Sequence, residues 1–276
     1  MISFDHVSFS YEKDALILKD ISLPIFSGEF LCILGENGSG KSTLIKHINA
    51  LLFSDEGTIT CEGILLSQEM TASDLFAVRK MVGIVFQNPD NQIVSSIVEE
   101  EVAFGPENLG IQNPELRTRV DRALEKVGLE SLAKHSTTSL SGGQKQRLAL
   151  AGILALEPKI LIFDEASAML DPKGRKEFMH LCKDLHSQGF TIIMTTHFME
   201  EAALADRIVV LKGGTIAFEG SPEEVFSNNE LVASLELDVP FSVRVSRALQ
   251  EKEIEIPLSF TTAALKEELQ CLASKK

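Results

Sequence analysis

No run of eighteen apolar residues occurs in this chain of 276, so no segment has the length and character of a membrane-spanning helix. The opening stretch MISFDHVSFSYEKD is acidic where a secretory signal would be basic and then apolar, and the expected location is the cytosolic side. Positive charge is scarce: 26 lysines and arginines face 40 aspartates and glutamates, for a formal net charge of −14. That deficit opposes sequence-independent attraction to nucleic acid or to an anionic lipid surface, so a partner protein would have to hold the chain at any membrane. Cysteine is sparse as well. Cys32, Cys61, Cys182 and Cys271 sit among apolar neighbours without CxxC or metal-ligand spacing, which argues against a disulfide framework or a zinc site and leaves buried, reduced thiols as the expectation. Internal repeats and low-complexity segments are absent too.

What is present is ordinary globular composition, 44% hydrophobic and 24% charged, in a chain long enough to bury a sizeable core. The pattern is α/β. A continuous apolar run predicts a strand at about 29–34, and the helical spacing of Leu44, Ile45, Ile48 and Leu51 predicts a helix after the glycines that follow it. From about 90 to 155 the character is helical, an insert in the α/β frame. Within it, NPELRTRVDRALEKVGL predicts a helix with Asn113 as N-cap, Pro114 in the first position, and Leu116, Val120, Leu124 and Val127 on one stripe. PKILIFDEA and TIIMTTH then read as buried strands of a parallel sheet, with Asp171 and Pro172 opening the helix between them. Two strands joined at Gly213 and Gly214 precede a helix capped by Ser221, with Pro222 and Glu224. The organisation expected is a main domain over 1–230 and a small helical appendage over 231–276.

The run Gly35, Glu36, Asn37, Gly38, Ser39, Gly40, Lys41, Ser42 fits GxxxxGK[ST] and stands between a predicted strand and a predicted helix. Glycines there let backbone N–H groups wrap phosphates, Lys41 neutralises the β and γ groups, and the Ser42 hydroxyl can reach a magnesium ion. Asp164 ends a buried strand, where a carboxylate is costly unless it faces a cation or a polar cleft. Glu165 beside it is placed to orient or deprotonate an attacking water, although a solvated loop glutamate would read the same way. His197 after TIIMTT and Gln87 after VGIVF are each ambiguous alone, since a lone polar residue at a strand end is more often structural. A second glycine pair, in SLSGGQKQRLAL, reads as a helix N-terminus aimed at another anion.

With GENGSGKST, VFQNPDNQ, LSGGQKQR, LIFDEASAMLDP and TTH in order and spacing, residues 1 to about 226 resemble an ATP-binding-cassette ATPase. The resemblance implies a P-loop fold with a mainly parallel core sheet, an antiparallel β subdomain and a helical insert. It implies ATP bound at Tyr11, Gly35 to Lys41, Ser42 and Thr43, with Tyr11, the only tyrosine in a chain without tryptophan, stacked on adenine; a core tyrosine is the alternative. Mg2+ is assigned to Ser42, Gln87 and Asp164, and catalysis to Glu165, His197 and Gln87. Ser141, Gly142, Gly143, Gln144 and Asp171 are assigned to the nucleotide of a partner subunit. FQNPDNQIVSSIVEEEVAFGPENLG, DEASAMLDP and the appendage beginning LELDVPF are most similar to the ATPases of energy-coupling factor transporters, importers of vitamins or transition-metal ions, and NPDNQ to the first of their two ATPase types.

The implied partners are a second ATPase, identical or paralogous, a transmembrane coupling subunit docked near Gln87 to Gln92, and a membrane subunit that selects the substrate; nucleic acid is not among them. The implied place is the cytoplasmic face of the membrane. One departure is visible: the family's ATSMLDP is ASAMLDP here, with Ala168 in place of a serine. Among the rivals, a ribosome- or DNA-acting cassette would carry a second cassette with a basic linker, or a coiled coil, and neither is present. An inactive regulatory subunit would not need Lys41, Asp164, Glu165 and His197 together. An importer of another subclass is disfavoured by NPDNQ and the appendage.

Overall fold

The computed structural model describes residues 1–12 and 15–274. A four-stranded antiparallel sheet, in the order β2-β1-β4-β5, is formed by β1 (Ile2–Ser10), β2 (Leu16–Ile25), β4 (Glu56–Cys61) and β5 (Ile64–Leu65). The second sheet has six strands, in the order β10-β9-β3-β8-β7-β6: β3 (Phe30–Leu34), β6 (Val82–Val85), β7 (Ile160–Asp164), β8 (Thr191–Thr195), β9 (Arg207–Lys212) and β10 (Thr215–Gly220). All its pairings are parallel except the hairpin of β9 and β10.

Side chains alternate across the six-stranded sheet, as the period of two requires, and so feed two cores. Phe30, Cys32 and Leu34 of β3 join one core with Leu161 and Phe163 of β7 and Ile208 and Val210 of β9. Leu31 and Ile33, Ile160 and Ile162, and Val209 and Leu211 join the other, which the antiparallel sheet and α1 (Lys41–Ile48) close. Because β3, β6, β7 and β8 are buried on both faces, their sequences are continuous apolar runs rather than alternating ones.

The remaining helices are α2 (Ala72–Met81), α3 (Val98–Asn108), α4 (Glu115–Val127), α5 (Gly142–Leu154), α6 (Pro172–Ser187), α7 (Met199–Ala202), α8 (Pro222–Ser227), α9 (Asn229–Ser234), α10 (Phe241–Gln250) and α11 (Thr262–Ser274). Val120, Leu124 and Val127 of α4 are buried as their spacing predicts, with Leu116 packed against the same core. The C-terminal segment adds Val232, Leu235, Val239 and Val243 to that core as well.

Three local expectations need correction. Helix α4 starts one residue later than predicted: Pro114 is its N-cap without a side-chain cap, and the preceding turn is closed by Leu116 N–H on Gln112 O at 3.1 Å rather than by Asn113. Leu51 lies beyond α1 and is exposed, because Ala50 takes a φ of 55° and turns the chain out of the helix. Cys271 is exposed, whereas Cys32, Cys61 and Cys182 are buried, and burial pushes all three of those thiols up in pKa. By contrast, Asp171 caps α6 through Gly174 N–H at 2.9 Å, and Ser221 with Glu224 forms a reciprocal capping box on α8.

Candidate active site

Strands β3, β8, β7 and β6 are consecutive neighbours and all parallel, so their carboxyl ends open on one edge of the sheet, where open α/β folds bind ligands. The loop of residues 35–40 leaves β3, His197 lies two residues beyond β8, Asp164 ends β7 with Glu165 next to it, and Gln87 lies two residues beyond β6. Residues more than a hundred positions apart in the chain are gathered by strand order alone.

At the end of β3, Gly35 has a φ of 145°, and a Cβ there would stand 2.3 Å from Leu211 O, so only glycine fits. Gly40 (φ 106°) turns the chain into α1. Lys41 is 6% exposed, and its Nζ donates to Gly35 O at 2.7 Å and Glu36 O at 2.9 Å. These acceptors carry no full charge. Burial lowers the pKa of the ammonium, while the charges of Glu165 and Asp164 act the other way. Ser39 Oγ, in the same loop, is buried and has no hydrogen-bond partner. A buried cation and an orphaned hydroxyl in one glycine-rich turn suit an anion with several acceptor oxygens. Glu36, Asn37 and Gly38 form the exposed crest of the turn, and Thr43 is buried one step along α1.

Asp164 is 8% exposed and its Oδ1 accepts from Ser42 Oγ at 2.9 Å and Thr195 Oγ1 at 2.8 Å. The second bond follows from register, since Asp164 stands opposite Thr195 in the β7–β8 ladder. Glu165 has a left-handed backbone, φ 48°, which is unusual for a non-glycine residue. Its N–H reaches back to Thr195 O at 3.1 Å and Thr195 Oγ1 at 3.0 Å, and these bonds hold the turn that presents the carboxylate at the sheet edge. His197 is exposed, its ring against Phe198 at 4.1 Å between centroids. Tyr11 is 57% exposed and so does not belong to the core; its hydroxyl lies 3.3 Å from Thr43 Oγ1 and its ring packs edge-on against Phe9.

A second constellation is built around the N-terminus of α5. Ser141 Oγ accepts from Gln144 N–H at 3.3 Å, and the Gln144 side chain returns the bond to Ser141 N–H at 2.8 Å. Used there as an acceptor, the Ser141 hydroxyl keeps its proton to donate. With Gly142, Gly143 and Asp171, these residues line a cavity of about 390 Å³ next to Met169 and Leu170. A Cβ on Gly142 would meet nothing within 4 Å. A side chain would therefore be accommodated there, and nothing in this chain's own packing asks for glycine.

Sequence reasoning missed two features. Glu201 is 2% exposed, and its two carboxylate oxygens take hydroxyls from Ser167 at 2.5 Å and Thr196 at 2.6 Å, so one buried acid ties the loop after Glu165 to the loop before His197. Desolvation raises its pKa despite both bonds. The other is a tie between the Gln87 loop and α5: Lys145 Nζ pairs with Asp90 Oδ1 at 2.6 Å, and Gln146 Nε2 donates to Phe86 O at 3.0 Å. Both lysine and glutamine stand in the glycine-pair motif, but only their partners reveal their work.

Residues 18–168 match the family model of the ABC transporter, which spans more than half of the chain. The chain belongs to the ABC transporter ATPase family. Within this family it is 49% identical over 267 residues to the energy-coupling factor transporter ATP-binding protein EcfA1 of Clostridium novyi (strain NT), covering 95% of this chain and 94% of that one. It is 46% identical to the protein of that name from Ligilactobacillus salivarius (strain UCC118), over 95% and 92% of the two chains. Among solved structures, cbiO1 from Clostridium perfringens, described as part of the ABC transporter complex cbiONQ, superposes with a TM-score of 0.79 at 37% identity, covering 92% of this ATPase and 98% of that chain. The dimeric cassette MJ0796, in a post-hydrolysis state bound to ADP and Pi, superposes with a TM-score of 0.72 at 32% identity over 80% and 99%. The chain is an ABC ATPase of the energy-coupling factor type.

Proposed function

We propose that the chain is one of two ATP-hydrolysing subunits that together power an energy-coupling factor importer, each nucleotide being held between the glycine-rich loop of one subunit and the Ser141–Gln144 group of the other. The observation that carries this reading is Gly142: an N-terminal helix turn with a free hydroxyl proton and two glycines, open where its own chain offers nothing to fill the space. Such a turn receives phosphate oxygens well.

In this reading the loop N–H groups, Ser39 and Lys41 hold the phosphate chain, and Tyr11 stacks on adenine. Ser42 and Asp164 are oxygen donors 2.9 Å apart, a set that suits a magnesium ion, which takes one or two protein oxygens and fills the rest of its shell from phosphates and water. They would hold it together with Gln87, and when bound it would neutralise charge on the transferred phosphoryl group. Glu165 orients the attacking water and accepts its proton, His197 donates to the γ-phosphate, and Asp171 reaches across the dimer. Ala168 removes one hydroxyl from that dimer contact without touching the groups that handle water.

Tyr11→Ala is expected to weaken ATP binding by about 1–3 kcal/mol, the scale of a base stacked on an aromatic ring. The ring is more than half exposed, so its removal costs the fold little beyond the edge contact with Phe9, and an isothermal titration reads the stacking; equal affinity would take Tyr11 out of the site.

No helix among the described residues is long and apolar enough to cross a membrane. Transport therefore requires a membrane partner, for which we assign the loop of residues 87–92, exposed at Gln87, Asp90 and Asn91, and the exposed Val94 beyond it. Magnesium, the membrane subunits and the place at the cytoplasmic face all belong to this proposal. Mild detergent extraction of membranes carrying the tagged chain is expected to recover a second ABC ATPase with transmembrane proteins in fixed ratio. Recovery of the chain alone, from the soluble fraction only, would overturn it.

A further inference from the structure

A cavity of about 610 Å³ lies between α6, α7 and the C-terminal segment, and no residue of the nucleotide loop lines it. Its volume is that of an ordinary small-molecule site. Met179, Phe198, Leu204 and Phe260 supply apolar wall, while Arg175, Lys176, His180, Lys183 and Lys266 surround it. In a chain of net charge −14, such a gathering of basic side chains runs against the general field.

The polar groups inside are not satisfied. Ser242 is 1% exposed and its hydroxyl has no hydrogen-bond partner. Arg175 Nε is also without one: its guanidinium lies over the Phe198 ring at 3.4 Å, and Nε stands 3.9 Å from Glu201 Oε1, too far for a hydrogen bond. Two acids stand on the lining: Glu201, which accepts hydroxyls from Ser167 and Thr196, faces Arg175 at ion-pair distance, and Glu200 accepts from Phe241 N–H at 3.1 Å. Thr261, Thr262 and Ala263 add the N-terminal turn of α11, where Thr261 Oγ1 caps Ala264 N–H at 3.2 Å. An apolar chamber with orphaned donors, more cations than acids on its lining and a helix N-terminus matches a ligand with a greasy body and an anionic head.

We propose that this cavity is a binding site for a small amphipathic anion, an alkyl or aryl group bearing a sulfonate, carboxylate or phosphate. The head sits among Arg175, Lys183, Lys266 and the Ser242 hydroxyl, and the body against Phe198 and Phe260. The site shares Glu201 and Phe198 with the wall behind His197, yet takes no part in holding ATP.

The test uses the full chain and anilinonaphthalene sulfonate, whose fluorescence rises on entering an apolar site. One saturable site is expected, displaced by decyl phosphate and not by decyltrimethylammonium. Lys183→Glu with Lys266→Glu should weaken it about tenfold or more, as the loss of charge-assisted contacts does. Lys80→Glu with Lys252→Glu changes net charge equally but lies off the cavity, and should leave affinity within about twofold. All four lysines are exposed, so folding is not at stake. Ser242→Ala, which removes the hydroxyl without adding bulk at a buried position, should also weaken decyl phosphate. Absence of a saturable site, equal loss in both lysine pairs, or displacement by the cation as readily as by the anion would overturn the proposal.

Discussion

Glu165→Gln is expected to lower steady-state ATP hydrolysis by about 10²–10⁴-fold, the usual contribution of a positioned general base, while ATP affinity stays the same or tightens. The backbone bonds that set the residue, from its N–H to Thr195, are indifferent to the side chain, so the glutamine occupies the place of the glutamate. What is lost is the capacity to take a proton from water. What is also lost is a negative charge close enough to Lys41 to act on its titration, and removing it favours a polyanionic ligand. An ATP-bound dimer should therefore accumulate. Phosphate release measured beside a nucleotide titration separates the two effects, and undiminished turnover would strip Glu165 of its assigned part.

Ser141→Arg is expected to leave ATP binding by the isolated chain unchanged and to abolish hydrolysis by the assembled pair. The long side chain would fill the space that Gly142 keeps open, at the mouth of the cavity shared with Asp171. It also removes a helix cap, at a cost of about 1 kcal/mol, which a domain of this size tolerates. Ser141→Asp separates the two effects, because aspartate caps as well as serine yet sets a negative charge where phosphate is expected. Both variants should be inactive while only the first loses stability in a melt. Full activity of either pair, or loss of ATP binding by the lone chain, would remove the α5 terminus from the partner's site.

Much of this architecture could be read along the chain. The strand, glycine turn and helix of residues 30–48 are specified by local chemistry, as are the caps at Asp171 and Ser221, where each side chain serves N–H groups three residues away. The candidate residues at the sheet edge were nameable because each follows an apolar run, and parallel strands must end on the same side. Local pattern is silent about partners distant in sequence. Glu201 sits in MEEAALAD like any solvated glutamate, and only its burial against Ser167 and Thr196 sets it apart. The left-handed turn at Glu165 is dictated by Thr195 on the next strand, not by its own neighbours. Leu51 and Cys271 erred in the other direction, since an apolar or sulfur side chain near an element's end carries no sign of whether the chain has already turned away from the core.

The tie from Asp90 and Phe86 to Lys145 and Gln146 has a thermodynamic consequence. Lys145 N–H is bonded to Ser141 O at 2.9 Å, so the loop assigned to the membrane partner and the helix end assigned to the opposite nucleotide are separated by one turn of a stiff rod. Whatever free energy nucleotide closure spends on moving Ser141 is then felt at Asp90, and linkage makes the exchange symmetric: a membrane partner that prefers one position of the loop must alter the affinity for ATP by the same factor. On the proposed assembly, in which another subunit selects the cargo, that cargo would be legible to this ATPase as a change in how tightly it holds its fuel.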